Sequence, residues 1–420
     1  MLDPPGRLVL GVTTVLFTAC AVYVPGYLAQ HPERPNRIFC ACVLAFMGVL
    51  TLIAEAHHLG LMWVAMEAST LTAAPLLYFN RNPRSLEATW KYLLIGSVGI
   101  ALALLGSFFL GYAALYTGRE PSLLLSDLVD NAPEMSRSWL HAAFVVLLVG
   151  YGTKMGLAPM HTWKPDAYGE APGITGTLLA GGLTSGAFLA ILRVYRICAA
   201  AGEAEFARKP LIALGLVSML VAAIFMARQK DYKRMLAYSS VEHMGILVLG
   251  IGIGGGALFG AMLHLLNNGL TKGVLFLSAA NIHRAFGSKS TDQVRGALRR
   301  VPISAGLLLA GFFAITGSPP FGVFLSEFTI LNAAVSTGQF AVAGLFLLVL
   351  IVIFIGMGAT VLAIVQGDPS QAPNEPFVHE RALTVAPGIC LLGLVLMLGV
   401  YIPAPLDELL RAAAAFLEAR

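Results

Sequence analysis

Charged side chains are scarce in this chain: they make up 12% of its 420 residues, against an ordinary share of about 25%. Hydrophobic residues fill 57%, and mean hydropathy is +0.77, which excludes a water-soluble domain and points to a polytopic membrane protein. The net charge of +4 is scattered over loops rather than gathered in a stripe, so it says little about nucleic acid, and no nucleic-acid partner is expected. Cysteines number only five. Cys20, Cys198 and Cys390 are isolated, while Cys40 and Cys42 lie too close for ordinary disulfide geometry and lack the partners of a metal site. All five read as small apolar packing residues. Motifs for haem attachment or an iron–sulfur cluster are absent too, so we expect no cofactor on this chain and place any redox chemistry in a partner. The first apolar stretch is too long for a signal peptide and lacks a cleavage site, so it reads as a retained helix.

What is present is a series of apolar runs. A spanning helix needs ~20 mostly apolar residues, and about twelve segments qualify. They lie near 8–28, 38–55, 58–79, 89–114, 139–158, 173–197, 210–227, 233–252, 256–283, 303–335, 339–366 and 382–402. The fold class is therefore all-α. The longest polar loop, 115–138, holds Arg119, Glu120, Asp127, Asp130 and Glu134 and hides no soluble domain. Lysine and arginine concentrate on the side of the 29–37, 80–91, 159–172, 228–234, 284–300 and 367–381 connections, which the positive-inside rule assigns to the cytoplasm, with both termini outside. The amphipathic stretch 403–420 reads as an interfacial tail, and Arg193 and Arg196 as interfacial anchors on the outer face.

Two helices look broken, at Gly156-Leu-Ala-Pro159 and at Gly317-Ser-Pro319-Pro320. Proline removes a helix N–H and clashes with the preceding turn. The breaks fall in the fifth and tenth segments, and interrupted helices in corresponding positions point to inverted repeats with a binding route near the midplane. This predicts an amino-terminal helix and loop (1–37), a first five-helix repeat (38–200), an inverted second repeat (201–366) and a carboxy-terminal loop, helix and tail (367–420).

Glu67, Lys154, Lys272 and Glu327 sit inside these apolar runs. Each such charge costs at least ~2.5–3.5 kcal/mol at the bilayer centre, so it marks an ion route by default. On one helix, His264, Asn268 and Lys272 are spaced i, i+4, i+8 and share a face spanning ~12 Å. Asparagine orders water there but carries no proton. His243 can extend the polar axis or be a satisfied core histidine.

Several segments, in order, resemble one family. They are Trp90-Lys91-Tyr92; Lys154-Met-Gly-Leu-Ala-Pro-Met-His161-Thr-Trp163-Lys164-Pro165-Asp166; Gln229-Lys-Asp231-Tyr-Lys233-Arg234 running on to Ser239-Ser240-Val-Glu242-His243-Met244; His264 to Lys272; and Pro319-Pro320 to Glu327. Over roughly residues 58–335 this resembles the antiporter-like subunits of respiratory complex I, Mrp cation/proton antiporters and membrane-bound hydrogenases. The segments around Glu242-His243 and Ser326-Glu327 are most similar to the F-type subunit of hydrogenase-4 and formate hydrogenlyase-type complexes. The resemblance implies that Glu67 and Lys154 form a coupled pair, whose alternative is a static buried salt bridge. It implies proton translocation through Glu67, Lys154, His243, His264, Lys272 and Glu327, with Lys91, His161, Asp166, Ser185, Lys233 and Asn268 as supporting polar groups.

The chain departs from the family at four points. The usual fourteen helices are expected to be twelve, starting at the family's third, with the first two missing or supplied by a partner; no long lateral helix is expected after residue 402, Ser185 stands where a lysine is common, and Asn268 where a histidine is. Lys230, Asp231, Lys233 and Arg234 also read as topology anchors, and His161, Trp163 and Asp166 as braces of the first break. Gly250 to Gly256 imitates a nucleotide loop but lies between two helices with no strand before it, so it reads as a tight turn. His57-His58 reads as a helix boundary rather than a metal site.

The implied protein is a proton-translocating subunit of a membrane-bound respiratory or hydrogenase complex in a bacterial or archaeal cytoplasmic membrane. Its expected partners are another antiporter-like subunit, a small-helix subunit and peripheral redox subunits carrying iron–sulfur clusters and a nickel–iron centre. The rival readings are a subunit of an Mrp-type antiporter without redox coupling and a non-conducting membrane scaffold. No catalytic, cofactor-binding or metal-binding residue is expected.

Overall fold

The computed structural model describes residues 2–30, 32–34, 36–115, 122–368 and 378–418. Arg119 and Glu120 of the polar loop lie outside them, as do 369–377 in the 367–381 connection and the last two residues of the tail. The described chain is helical with no strand, only two isolated bridges. In order the helices are α1 (Pro4–Leu28), α2 (Asn36–Glu55), α3 (Leu59–Leu77), α4 (Pro83–Leu115), α5 (Leu125–Asp130), α6 (Arg137–Met155), α7 (Trp163–Glu170) and α8 (Gly173–Thr177). A π-helical stretch, Leu178–Leu183, joins α8 to α9 (Thr184–Ala200). Then come α10 (Ala204–Met226), α11 (Tyr232–Ile253), α12 (Gly256–Phe286), α13 (Ala297–Arg300), α14 (Pro302–Ile315), α15 (Gly322–Ser336), α16 (Phe340–Gln366), α17 (Ala382–Val400) and α18 (Ala404–Glu418).

Among the described residues, nine helical spans are long and apolar enough to cross a membrane. The three expected segments outside that set are α6, α12 and the α14–α15 pair, which carry Lys154, Lys272 and Glu327. Polar residues dilute the first two, and the double-proline break shortens the third. The α8–α9 span and α11 are buried on nearly every face, whereas α2, α4, α10, α16 and α17 turn Leu44, Leu94, Ile224, Ile355 and Ile389 outward. Helices apolar on all sides occupy either a core or a bilayer, and here the polar ones fill the core.

Local chemistry sets the ends. Asp3 accepts from Gly6 N at 2.8 Å, and Asp231 accepts from Lys233 N at 2.9 Å and Arg234 N at 3.1 Å, capping α1 and α11. His58 caps α3 through Gly60 N, which accounts for the His57-His58 pair. Gly254 and Gly255, both at positive φ, make the tight turn between α11 and α12. Helix α6 stops at Gly156, whose φ of 80° suits only glycine well. Beyond the break, Trp163 Nε1 donates at 2.8 Å to Thr153 O, in the last turn of that helix, where the Gly156 N–H also donates at 3.1 Å. The second break, between α14 and α15, passes through Gly317 and the two prolines.

Close backbone packing draws the bundle together. A Cβ at Gly150 of α6 would lie 2.6 Å from Ala103 N and 2.8 Å from Gly99 O of α4. Small residues of this kind let membrane helices approach. On the other flank Leu16 of α1 lies on Gly181 and Gly273, where added Cβ atoms would come within 2.2 and 3.0 Å of its methyl groups.

Two expectations need correction. Arg193 is no interfacial anchor: it is 2% exposed, paired with Asp3 at 2.9 Å, and donates to Ile53 O, Ala54 O and Ala56 O. A buried guanidinium needs such a ring of acceptors, and the sequence hid its partner 190 positions away. Arg196, by contrast, is half-buried and stacks on Phe416 at 3.7 Å. The amphipathic tail forms α18, which seats Leu410, Ala413 and Leu417 against the bundle beside α1, α9 and α12.

Candidate functional site

The polar residues of the core form a series of separate hydrogen-bonded groups across the bundle. It starts on α3, where the half-buried Glu67 accepts from Ser97 Oγ at 3.0 Å and from Thr70 Oγ1 at 3.3 Å. Thr70, one turn further along, accepts from Lys154 Nζ at 2.6 Å. Lys154 is fully buried and also donates to Tyr92 Oη at 3.2 Å, with its ammonium 4.9 Å from that ring's centre. The static Glu67–Lys154 salt bridge is therefore not formed; a hydroxyl stands between the two groups.

Past the break, Lys164 of α7 is also fully buried and donates to Ser240 Oγ at 3.2 Å. The neighbouring Ser239 accepts from Lys272 Nζ at 2.8 Å, and Leu236 O lies 3.4 Å from the same ammonium. Further along α12, His264 pairs with His243 across 3.0 Å (Nε2 to Nδ1), and its other nitrogen meets Ser326 Oγ at 2.9 Å. Glu242 lies 3.8 Å from His243 Nε2. Glu327, 5% exposed, lies against Gly317 with one oxygen unpartnered, beside an apolar recess of about 340 Å³ lined by Phe324, Phe328, Phe346 and Phe354.

The supporting groups divide. Asp166 holds Lys91 at 2.7 Å and Arg234 at 2.5 Å, which braces the first break. Lys233 is buried and donates to Ala171 O at 2.6 Å, more than a surface topology anchor would. His161 is buried with Nδ1 unpartnered. Asn268 is buried on the His264–Lys272 face, its oxygen unpartnered. Ser185 bonds Gly181 O of its own helix at 2.6 Å and joins none of these contacts.

Two further buried charges, Lys164 and Glu242, lie outside the six relay candidates that the sequence points to. Lys164 sits in a hydrophilic stretch that reads as loop until the fold buries it. Glu242 is a charge inside an apolar helix, the same signal that marked Glu67, and was overshadowed by His243.

His243, His264 and Glu327 bring ligand atoms within 4.8 Å of one another, the one such group among the described residues. Both nitrogens of His264 are already engaged by His243 and Ser326, so a metal would have to displace existing hydrogen bonds. The arrangement suits proton exchange between neutral and charged partners better than a preformed ion cage.

Comparison with known proteins agrees with this architecture. A family profile described as "NADH:quinone oxidoreductase/Mrp antiporter, TM" matches residues 56–355. The hydrogenase-4 component F homolog of Methylacidiphilum infernorum is 34% identical over 427 aligned positions, covering 97% of this chain and 88% of the relative. Respiratory complex I of Thermus thermophilus contains a chain with TM-score 0.73 and 30% identity, matched over 94% of this chain and 85% of its own length. A chain of the Mrp complex from Dietzia sp. superposes with TM-score 0.87 over 100% of this chain and 84% of its own, at 20% identity, a likeness of fold. With its polar core, broken helices and these matches, the chain belongs to the family of antiporter-like membrane subunits found in complex I, Mrp and hydrogenase-type complexes.

Proposed function

We propose that this chain translocates protons as the F-type antiporter-like subunit of a hydrogenase-4 or formate hydrogenlyase-type complex, driven by redox chemistry in its partners. The observation that carries the reading is the company of its buried lysines. Lys154 and Lys272 donate to hydroxyl groups, and among the described residues no carboxylate lies within ion-pair distance of either. An ammonium so placed can release its proton and then, as an amine, accept from the same hydroxyl, so both charge states keep a partner. A scaffold gains nothing from buried charge of this kind.

In this reading the proton relay comprises Glu67, Lys154, His243, His264, Lys272 and Glu327, with Lys91, His161 and Asp166 at the inlet. The membrane domain has about twelve crossings, with inverted repeats over 38–200 and 201–366. Two features support the repeats: each contains a break in its fourth helix, and each carries a glutamate, Glu67 or Glu242, midway along its second. The partners are another antiporter-like subunit, a small-helix subunit and redox subunits bearing iron–sulfur clusters and a nickel–iron centre. The membrane is a bacterial or archaeal cytoplasmic one, with both termini outside.

The test is proton translocation by the gently purified complex in proteoliposomes, together with identification of its partners by mass spectrometry. Lys154→Ala and Lys272→Ala should each lower translocation at least roughly tenfold while assembly is retained. Normal translocation by both variants would overturn the proposal. Copurification with small antiporter subunits and no redox protein would move the chain to redox-independent cation/proton exchange.

A further inference from the structure

Resting on the proton-translocating reading, we infer that Lys164 is itself a relay residue, carrying protons between the Lys154 end of the route and Lys272. Its position makes it the joint of the two halves. The stem of Lys164 crosses directly over Gly156, where a Cβ would meet its Cε at 2.4 Å and its Nζ at 3.0 Å. The Lys164 ammonium thus lies at the end of α6, two residues from the Lys154 backbone position. On its far side it reaches α11 through Ser240.

Ser239 and Ser240 are consecutive in α11, so their side chains leave the axis about 100° apart and serve partners on two sides of one helix. Ser239 receives Lys272, and Ser240 receives Lys164. No side chain expected for the relay fills this gap: Ser185 spends its hydroxyl on Gly181 O within its own helix. Lys164 also lacks any carboxylate within ion-pair distance among the described residues, although Glu170, near the other end of the same short helix, has Lys289 as its ion-pair partner. A lysine kept for structural charge alone would be paired. This one is placed like Lys154 and Lys272, with a hydroxyl as its partner.

The proton balance is simple. The neutral amine of Lys164 takes a proton from the Lys154 side, forming one N–H bond as the donor's bond breaks. The resulting ammonium passes a proton to the Ser240 oxygen, and that hydroxyl's own hydrogen moves on around α11 to the neutral amine of Lys272, which becomes the ammonium. Lys164 returns to the amine, and nothing is oxidised or reduced.

The assembled complex in proteoliposomes tests this with Lys164→Met and Lys164→Arg, each scored for translocation per assembled complex, with Lys154→Ala and Lys272→Ala alongside. Methionine removes the titrating group, while arginine keeps positive charge and hydrogen-bond donors without releasing a proton. Both should lower translocation at least tenfold with partner content unchanged. A structural need for charge would be met by arginine, so wild-type translocation in the Lys164→Arg protein overturns the inference, as does wild-type translocation in Lys164→Met. If the buried site prevents assembly of both, Ser240→Ala leaves the lysine in place and removes its partner. It should slow translocation several-fold, and an unchanged rate would count equally against Lys164. If the unsubstituted complex moves no protons, or neither Lys154→Ala nor Lys272→Ala has an effect, the proposed function itself fails; sensitivity at either of them without sensitivity at Lys164 removes only the relay role.

Discussion

Thr70 accepts from Lys154 and donates toward Glu67, so one hydroxyl is all that joins two ionisable groups on different helices. Thr70→Val keeps the shape and removes the link. One hydrogen bond is worth about 1 kcal/mol net, so translocation should fall several-fold to roughly tenfold, with assembly and thermal stability close to those of the parent. A rate indistinguishable from the parent would mean that Glu67 and Lys154 communicate by another route. At this scale the sequence revealed charges and concealed their company. A lysine or glutamate within an apolar run is conspicuous, which is why Lys154, Lys272 and Glu327 could be picked out. A threonine there is ordinary, so Thr70 carried no signal. The roles of Lys164 and Arg193 are hidden for a related reason: their surroundings depend on contacts distant in the chain, Ser240 for one and Asp3 for the other.

Helices were the most legible features, because long apolar runs have few alternatives in a membrane. The two interruptions were legible as well, since proline cannot continue the hydrogen-bond ladder. The π-helical stretch Leu178–Leu183 was not, because its residues are apolar and small and nothing in their order favours a wider turn. The tight contact of α4 with α6 was equally hidden, since it depends on two glycines on separate helices coming to the same height. Gly150→Leu should therefore force those helices apart. Overpacking typically costs about 1–3 kcal/mol, and added atoms meeting backbone fall at or above the upper end. The variant should lose thermal stability in detergent and reduce the yield of assembled complex; unchanged melting and yield would show that α4 and α6 can shift freely. Lys154 follows Gly150 by one turn, so any shift also moves the first lysine of the proposed relay.

For the whole molecule, α18 packs beside α1 and α9, which puts the first and last described helices at one face of the bundle. Reporter tags fused at the two ends should therefore give the same compartment signal, and the charge distribution of the loops predicts the outer side. Opposite signals would exclude an even number of crossings. The position of α1 matters in another way. Through Leu16 it covers Gly181 and Gly273, glycines that leave the backbone of the polar centre bare on that flank. A wire carrying charge through a bilayer works only if nothing drains from its side. For the proposed route, α1 is in electrical terms insulation: it would keep lipid and stray water from the conductor, so that a driving force applied at one end is not short-circuited across the membrane.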